Sequence, residues 1–294
     1  MFVIKFKKFF IGLSIAFVVL AIAAVAVFGL RLGIDFKGGS QLQVTYTQDR
    51  PDIAAIKSIL AADGLPDAAV QPTGDSGVII KTHSITESDK NAVVASLGKG
   101  VVEGSFTTIG PSVGAELKHK AIVSIVLVLI AIIFFVAYAF RNVSKPVSSW
   151  KYGLAVILAL IHDIAIPLGA FALLGHFYGA ELDTLFVVAL LTTLALSIAD
   201  TIVVFDRIRE HLGTNTKGKS FETIVSESLN ETFARSINTS LMVLIMVITL
   251  AIVGPASTQL FAIVLAIGMF FGTYSSIFLA SPLLVVFERL QNKK

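Results

Sequence analysis

Residues 182–205 read LDTLFVVALLTTLALSIADTIVVF, and Asp183 and Asp200 are the only charged side chains in this stretch. A helix needs about 20 apolar residues to cross the hydrocarbon of a bilayer, so the stretch predicts a membrane span that holds a carboxyl group. Hydrophobic residues make up 55% of the whole chain. In soluble domains the apolar fraction of residues is only about 45–50%, even when glycine is counted as apolar. We therefore predict a polytopic α-helical membrane protein.

Six segments of this kind are predicted transmembrane helices: residues 9–30, 121–140, 153–174, 182–205, 237–253 and 260–287. Lysine and arginine near the ends of spans resist translocation, so basic loops indicate the cytoplasmic side. The basic residues lie before span one, after spans two and four, and at the end of the chain: Lys5, Lys7, Lys8, Arg141, Lys145, Lys151, Arg207, Arg209, Lys217, Lys219, Arg289, Lys293 and Lys294. Both termini are therefore predicted to be cytoplasmic.

The predicted organisation has three parts. Residues 1–30 hold a cytoplasmic start and transmembrane helix 1, residues 31–120 form an extracytoplasmic domain, and residues 121–294 hold helices 2–6 with their loops and tail. A cleaved signal peptide is the alternative for span one, since its start is basic and Ala21-Ile22-Ala23 resembles a cleavage site. However, the apolar stretch continues to residue 30, which is longer than the core of about 7–15 residues in a signal peptide.

Composition excludes several kinds of chemistry. The chain has no cysteine, so disulfides, thiolate nucleophiles and cysteine-based metal sites are ruled out. Its five histidines are scattered, and its net charge is only +3. We therefore predict no metal, no cofactor and no binding to nucleic acid.

The segment between spans one and two reads as a small α+β domain. Alternation of polar and apolar residues predicts a strand at residues 41–47, and Asp49 near its start and Gly64 just past its end predict a helix at 51–63. Short strands are predicted at 69–72 and 77–82, and a last strand at 101–108. A second helix begins at Thr86, whose spacing to Asp89 resembles a capping box, and ends at Gly98. This β-α-β-β-α-β order is that of a ferredoxin-like domain. A fold of this kind assigns no activity by itself.

Ionisable residues inside the spans are the candidate functional residues. An acid at mid-bilayer costs about 2.5–3.5 kcal/mol on insertion scales, so each one needs a partner, a water cavity or a function. Asp200 lies in span four, and Arg235 stands at the start of span five. An arginine on an adjacent helix can help to reach such an acid by snorkelling. The pair is either a fixed salt bridge or part of a proton or ion relay. His162-Asp163, near the middle of span three, is a possible relay or a purely structural pair.

Two further patterns concern packing. Gly268, Gly272, Ser276 and Ala280 place small residues at every fourth position of span six. This spacing predicts a tight helix contact, within this chain or with a partner. Residues 220–233 carry apolar side chains along one side, which predicts an amphipathic helix on the cytoplasmic surface.

Several motifs in order resemble the SecD/SecF family of the resistance-nodulation-division superfamily. Residues 33–39, GIDFKGG, match the family's G-I-D-F-x-G-G through Gly33, Asp35, Phe36, Gly38 and Gly39, and residues 110–114 match its G-P-x-V-G. His162-Asp163 stands where the family has an H-D pair. Residues 199–210, ADTIVVFDRIRE, are similar to the SecF pattern N-D-T-x-V-V-x-D-R-I-R-E and include Asp206, Arg207 and Arg209. Ala199 replaces the family's asparagine.

The resemblance implies an accessory subunit of protein export, multi-pass in the plasma membrane of a prokaryote and in contact with its lipids. It would work with SecD as a separate chain, with the SecYEG channel and SecA, and with secreted polypeptides. The family's proton-coupling pair falls on Asp200 and Arg235. Whether the coupled ion is a proton or sodium is left open, and Gly38 and Gly39 fit either a hinge or a tight turn.

Two other functions are compatible with parts of the pattern. One is a small-molecule or lipid exporter of the same superfamily, and the other is an intramembrane aspartyl protease using Asp163 and Asp200. The protease lacks its expected G-x-G-D, because Asp200 follows Ser197-Ile198-Ala199.

Overall fold

A computed structural model describes residues 2–141, 147–214 and 218–292 of the chain. Lys145, Lys217, Lys293 and Lys294, which contributed to the predicted orientation, lie outside the described residues. The elements follow in the order α1 (Phe2–Lys5), α2 (Lys7–Phe28), α3 (Ile34–Lys37), β1 (Gly39–Tyr46), α4 (Ile53–Ala62), β2 (Ala69–Thr73), β3 (Gly77–Thr82), α5 (Glu87–Ser96), β4 (Val101–Ile109), α6 (Pro111–Ala139), α7 (Ser149–Tyr178), α8 (Thr184–Thr214), α9 (Phe221–Val253), α10 (Ala256–Ser275), a π-helical segment (Ser276–Ala280) and α11 (Ser281–Asn292).

The chain divides into two compact units. One unit consists of Met1–Arg31, Ser124–Ala180 and Leu185–Lys294, and we call it the membrane unit. The other, which we call the sheet unit, consists of Leu32–Val123 and Glu181–Thr184. Across the described ranges, six helices are long and apolar enough to cross a membrane: α2, α6, α7, α8, α9 and the stretch Ser257–Gln291. The chain is therefore a polytopic α-helical membrane protein that also carries a β-sheet.

Helix α9 differs from its prediction. Residues 220–233 were predicted as a separate surface helix, but they form the first part of one continuous helix of 33 residues. At about 1.5 Å per residue this helix is about 50 Å long. No glycine or proline interrupts the sequence between Gly218 and Gly254, so nothing breaks the helix where its character changes from amphipathic to apolar. The apolar side chains of Phe221, Val225 and Leu229 are buried in the core of the membrane unit.

The sheet unit holds four antiparallel strands in the spatial order β2-β3-β1-β4. The strands and helices predicted between residues 41 and 108 are all present, and their ends differ from the prediction by at most two residues. The core lies between the sheet and α4 and α5, and includes Leu42, Val44, Ile56, Leu60 and Ile80. These apolar residues alternate along β1 and recur at a four-residue spacing on α4, as burial of one face requires.

The capping box predicted at the start of α5 is confirmed. The Asp89 N–H donates to Thr86 Oγ1 at 3.3 Å, and the Thr86 N–H donates to Asp89 Oδ2 at 3.0 Å. The hydrogen bond from the Thr86 N–H is the main cause that lowers the pKa of Asp89 below its usual value. This interaction is therefore complete above the ordinary pKa of an aspartate and is lost as the pH falls through the lowered pKa.

Thr86→Ala removes one half of this box. We expect the amide protons in the first turn of α5 to exchange roughly fivefold faster, as for the loss of an N-cap. Native-state hydrogen exchange on the full chain at neutral pH measures this. Asp75→Ala, in the exposed loop between β2 and β3, is the control and should leave these rates unchanged. Equal rates in Thr86→Ala and the unmodified chain would contradict the prediction.

Candidate functional site

Asp163 on α7 is a buried carboxylate bound by three side chains. Its side chain is 1% exposed and that of His162 is 0% exposed. His162 Nδ1 lies 3.0 Å from Asp163 Oδ1. Ser197 Oγ of α8 and Ser275 Oγ of α10 lie 2.5 and 3.0 Å from Asp163 Oδ2. Because a buried charge is tolerated only when it is paired and hydrogen-bonded, this arrangement accounts for an acid at this depth.

The backbone of α7 also changes at this point. Pro167 lies inside the helix, four residues after Asp163. Proline has no N–H, so the hydrogen bond that would reach the Asp163 carbonyl is missing. The segment around the His162-Asp163 pair is therefore less constrained by helix hydrogen bonds than its neighbours.

Small residues of span six bring α10 close to α8. A Cβ added to Gly268 would lie 2.4 Å from Thr193 Cγ2, and one added to Gly272 would lie 2.9 Å from Ser197 Cβ. Ser276 and Ala280 are fully buried in the π-helical segment that follows α10. Of the predicted stripe of small residues, Gly268 and Gly272 thus pack against α8 of this chain.

Hydroxyl groups join the two helices along this contact. Ser276 Oγ lies 2.7 Å from Thr201 Oγ1 and donates to the Ser197 carbonyl at 3.0 Å or to the Gly272 carbonyl at 3.1 Å. The π-helical segment begins at Ser276. π-bulges inside α-helices occur frequently at functional sites.

Asp200 on α8 is placed differently from Asp163. Ser240 Oγ of α9 donates to Asp200 Oδ2 at 3.3 Å, and Thr273 Oγ1 of α10 donates to Ser240 Oγ at 2.5 Å. Arg235 is exposed on α9, and within the described ranges no ion pair of 4 Å or less joins it to Asp200. The predicted pair is therefore not in direct contact in the part of the chain that the structure describes.

The end of α8 carries the remaining charged residues of its motif. Arg209 Nη2 lies 2.5 Å from Asp206 Oδ1, and Arg207 Nη1 lies 2.6 Å from Glu210 Oε2. Arg207 Nε also donates to Glu231 Oε2 of α9 at 2.5 Å. Arg207 therefore links α8 to α9, whereas Asp206 and Arg209 form an exposed pair within one helix.

The GIDFKGG motif lies in the sheet unit. The Gly33 N–H donates to the Leu182 carbonyl at 2.7 Å, and Asp35 Oδ2 accepts from the N–H and Oγ1 of Thr184 at 2.8 and 2.6 Å. Phe36 is buried. The motif thus anchors the segment Glu181–Thr184 within this unit.

The two glycines that end the motif form a crowded turn. Gly38 and Gly39 have φ values of 79° and 145°, which side chains rarely adopt. A Cβ on Gly38 would lie 2.9 Å from Pro111 Cα, and one on Gly39 would lie 2.5 Å from the Thr82 carbonyl oxygen. Of the two interpretations given above, this geometry favours the tight turn over the hinge.

Comparison with known proteins places the chain in a family. Residues 89–290 match the family model described as "Protein export membrane protein SecD/SecF, C-terminal", and residues 23–49 match the "SecD/SecF GG Motif". The chain belongs to the SecD/SecF family. A "Protein translocase subunit SecF" of Thermobaculum terrenum is 39% identical, with 97% of this chain and 93% of the relative covered. The one from Anaerolinea thermophila is 35% identical, with 96% and 92% covered.

Solved structures of this family have the same fold. The crystal structure of SecDF, a translocon-associated membrane protein from Thermus thermophilus, matches with a TM-score of 0.84 and 28% identity over 97% of this chain. A structure of SecDF in a super-membrane-facing form matches with a TM-score of 0.71 and 27% identity over 99% of this chain. The present chain spans 38% and 39% of the lengths of those two SecDF chains.

Proposed function

We propose that this chain is an accessory subunit of the Sec protein-export machinery, which acts with SecD to help secreted polypeptides through SecYEG after SecA has begun their transfer. The observation that carries this proposal is the near full-length similarity to protein translocase subunits SecF. The energy source is the proton motive force. Moving one proton down a potential of 100 mV supplies about 2.3 kcal/mol, which biases a conformational equilibrium when several protons cross.

The proposed architecture places the chain in the inner membrane of a prokaryote with six spans and both termini in the cytoplasm. The six apolar helices support this arrangement, and so does the basic character of Lys5, Lys8, Arg141 and Lys219, which are described and exposed. The strand order β2-β3-β1-β4 with two helices supports a ferredoxin-like extracytoplasmic domain. The boundaries near residues 30 and 120 lie close to the division between the membrane and sheet units.

Asp200 and Arg235 are the proposed coupling pair. Asp200 is half-buried and receives a single hydroxyl hydrogen bond of 3.3 Å from the described residues. Such a carboxylate is less firmly held than Asp163, which three side chains bind. Protonation of Asp200 neutralises its carboxylate and so removes its attraction to the Arg235 charge. The electrostatic attraction between α8 and α9 is thereby weakened. This change is the proposed step by which proton binding moves the helices.

Gradient-dependent export tests the function. A bacterial strain depleted of its own SecD and SecF receives this chain together with the SecD of the same source, and the rate of export is measured with and without an uncoupler. We expect export to recover, and we expect the uncoupler to remove the recovered part. No recovery from a pair of subunits that is present in the membrane would overturn the proposal.

The protease alternative is not favoured by the geometry. An aspartyl protease needs two carboxylates close enough to share a proton. Here Asp163 is bound by hydroxyls of Ser197 and Ser275, whereas Asp200 is bound by Ser240. Among the residues that the structure describes, no observation favours a small-molecule or lipid exporter over protein export.

A further inference from the structure

The two serines that bind Asp163 each have a second acceptor. Ser197 Oγ lies 2.5 Å from Asp163 Oδ2 and 3.3 Å from the Gly272 carbonyl oxygen. Ser275 Oγ lies 3.0 Å from Asp163 Oδ2 and 2.9 Å from the same carbonyl. Each hydroxyl has only one hydrogen to donate, so each serine serves one acceptor at a time. The distances therefore allow two hydrogen-bond arrangements around the same heavy atoms.

The two arrangements correspond to the two protonation states of Asp163. When the carboxylate is ionised, both serine hydroxyls donate to Oδ2. When Oδ2 carries a proton, it donates that proton to Ser197 Oγ, and Ser197 in turn donates to the Gly272 carbonyl. Neither state leaves a buried donor unpaired, and unpaired buried donors cost about 1–3 kcal/mol each. The site can therefore gain and lose a proton without rearrangement of its side chains.

His162 fixes which group of the pair takes up the proton. Its Nδ1 lies 3.0 Å from Asp163 Oδ1, which an ionised carboxylate requires to be an N–H donor, and its Nε2 is buried with no hydrogen-bond partner in the described residues. The ring lines a cavity of about 210 Å³ whose other walls are apolar except for Ser14. A second proton on the imidazole would place an unpaired N–H among apolar groups, which is costly. The geometry therefore favours an imidazole that carries its hydrogen on Nδ1 alone.

Few other ionisable groups face the Asp163 site. Helix α2 has no titratable side chain between Lys8 and its end at Phe28. Helix α10 presents Tyr274, whose ring stacks on His162 with a centroid distance of 5.9 Å. Helix α8 presents Asp200, which hydrogen-bonds to Ser240 of α9 instead. Among the described residues, the side chains in hydrogen-bond contact with the Asp163 carboxyl group are thus His162, Ser197 and Ser275.

One turn of α10 connects the two acids. Thr273 donates to Ser240, which binds Asp200, whereas Ser275 binds Asp163. Two residues on a helix are about 200° apart, so these side chains point to nearly opposite sides of the turn. A shift of this turn alters the hydrogen bonds of both carboxylates, and the π-helical segment that begins at Ser276 lies directly next to it.

We propose that Asp163 is a second proton-binding site of the membrane unit, and that Ser197 and Ser275 are positioning residues whose hydroxyls exchange between the carboxylate and the Gly272 carbonyl as the proton binds. The inference rests on the proposed proton-driven function and adds a site to the Asp200–Arg235 pair. Proton uptake at Asp163 forms one O–H bond and neutralises one carboxylate, and proton release reverses this change.

Infrared difference spectroscopy on the full chain in lipid membranes tests the site directly. Spectra taken between two pH values report the C=O stretch of a protonated carboxyl group. In Asp200→Asn, which lacks the other proposed proton-binding carboxyl group, we expect such a band, and we expect its loss when Asp163→Asn is added. Ser197→Ala and Ser275→Ala should shift its frequency, because each removes a hydroxyl partner. Ser228→Ala is the matched control, since this serine is also buried but donates to the Ile224 carbonyl at 2.9 Å.

The outcomes separate the site from the function. A band in Asp200→Asn that persists unchanged when Asp163→Asn is added, or no band in Asp200→Asn at any pH at which it stays folded, would overturn the proposal. If Asp163→Asn does not accumulate in the membrane, a frequency shift in Ser275→Ala and none in Ser228→Ala supports the site, and equal frequencies contradict it. The spectrum is recorded without SecD or export. A band assigned to Asp163 in a chain that fails the export test therefore supports the site while contradicting the proposed function.

Discussion

Asp200→Asn is expected to abolish the gradient-dependent part of export while the chain stays folded in the membrane. Asparagine has nearly the same shape, and its amide oxygen still accepts the hydrogen bond that Ser240 donates to Asp200 at 3.3 Å. The amide neither binds nor releases a proton at physiological pH. A neutral hydrogen bond of this kind contributes only about 0.5–1.5 kcal/mol, so the fold should survive its alteration. Export rates measured with and without an uncoupler should become equal.

The absence of a close ion pair makes Arg235 a second part of this test. Because Arg235 and Asp200 make no contact of 4 Å or less among the described residues, the proposed interaction depends on charge alone, and Arg235→Lys should retain most of the gradient dependence. Arg235→Met should lose it. Asp75→Asn, in an exposed loop of the sheet unit, is the control for loss of an aspartate. Gradient-stimulated export in Asp200→Asn equal to that of the unmodified chain would remove Asp200 from the mechanism.

The spans and the elements of the sheet unit could be predicted because their signals are local. An apolar run of sufficient length, or an alternation with period two, is read directly from the sequence. Helix α9 shows the limit of this approach. The apolar run marks only the part beyond residue 237, yet the helix starts at Phe221. Hydrophobicity identifies where a helix meets lipid, whereas its start depends on the Ser220 cap and on the lack of helix-breaking residues.

The two acids of the site could be predicted from the sequence, but most of the residues that hydrogen-bond to them could not. Asp163 and Asp200 stand out because charge is costly inside a membrane. Ser197, Ser275 and Thr273 do not stand out, because single hydroxyl residues are common in apolar helices. The sequence pairs Asp200 with Arg235 from their positions along neighbouring spans, and such positions indicate only depth. Depth says nothing about rotation around a helix axis, and in the structure it is Ser240 that binds Asp200.

Gly169→Ala is expected to loosen the contact between α2 and α7 and to destabilise the membrane unit by about 3 kcal/mol, the upper end for overpacking. An added Cβ at Gly169 would lie 2.4 Å from Ala21 Cα and 2.9 Å from the Ala21 carbonyl oxygen. These are backbone atoms, so no side-chain rotation relieves the clash. Among the described residues of α2, only Lys7, Ser14, Ala21 and Ala24 are buried, so displacement at Ala21 removes a large share of its packing.

Gly153→Ala on the same helix is the matched control for this prediction. A Cβ at Gly153 meets nothing within 4 Å, and alanine favours a helix over glycine by about 0.8–1.0 kcal/mol. Unfolding in mixed detergent micelles, followed by circular dichroism, should show Gly169→Ala less stable and Gly153→Ala unchanged or more stable than the unmodified chain. Equal stability of the two variants would contradict a close backbone approach at Gly169. Adding Ala21→Gly to Gly169→Ala should restore only part of the loss, because it removes the Ala21 methyl group but leaves the backbone atoms that the new Cβ meets.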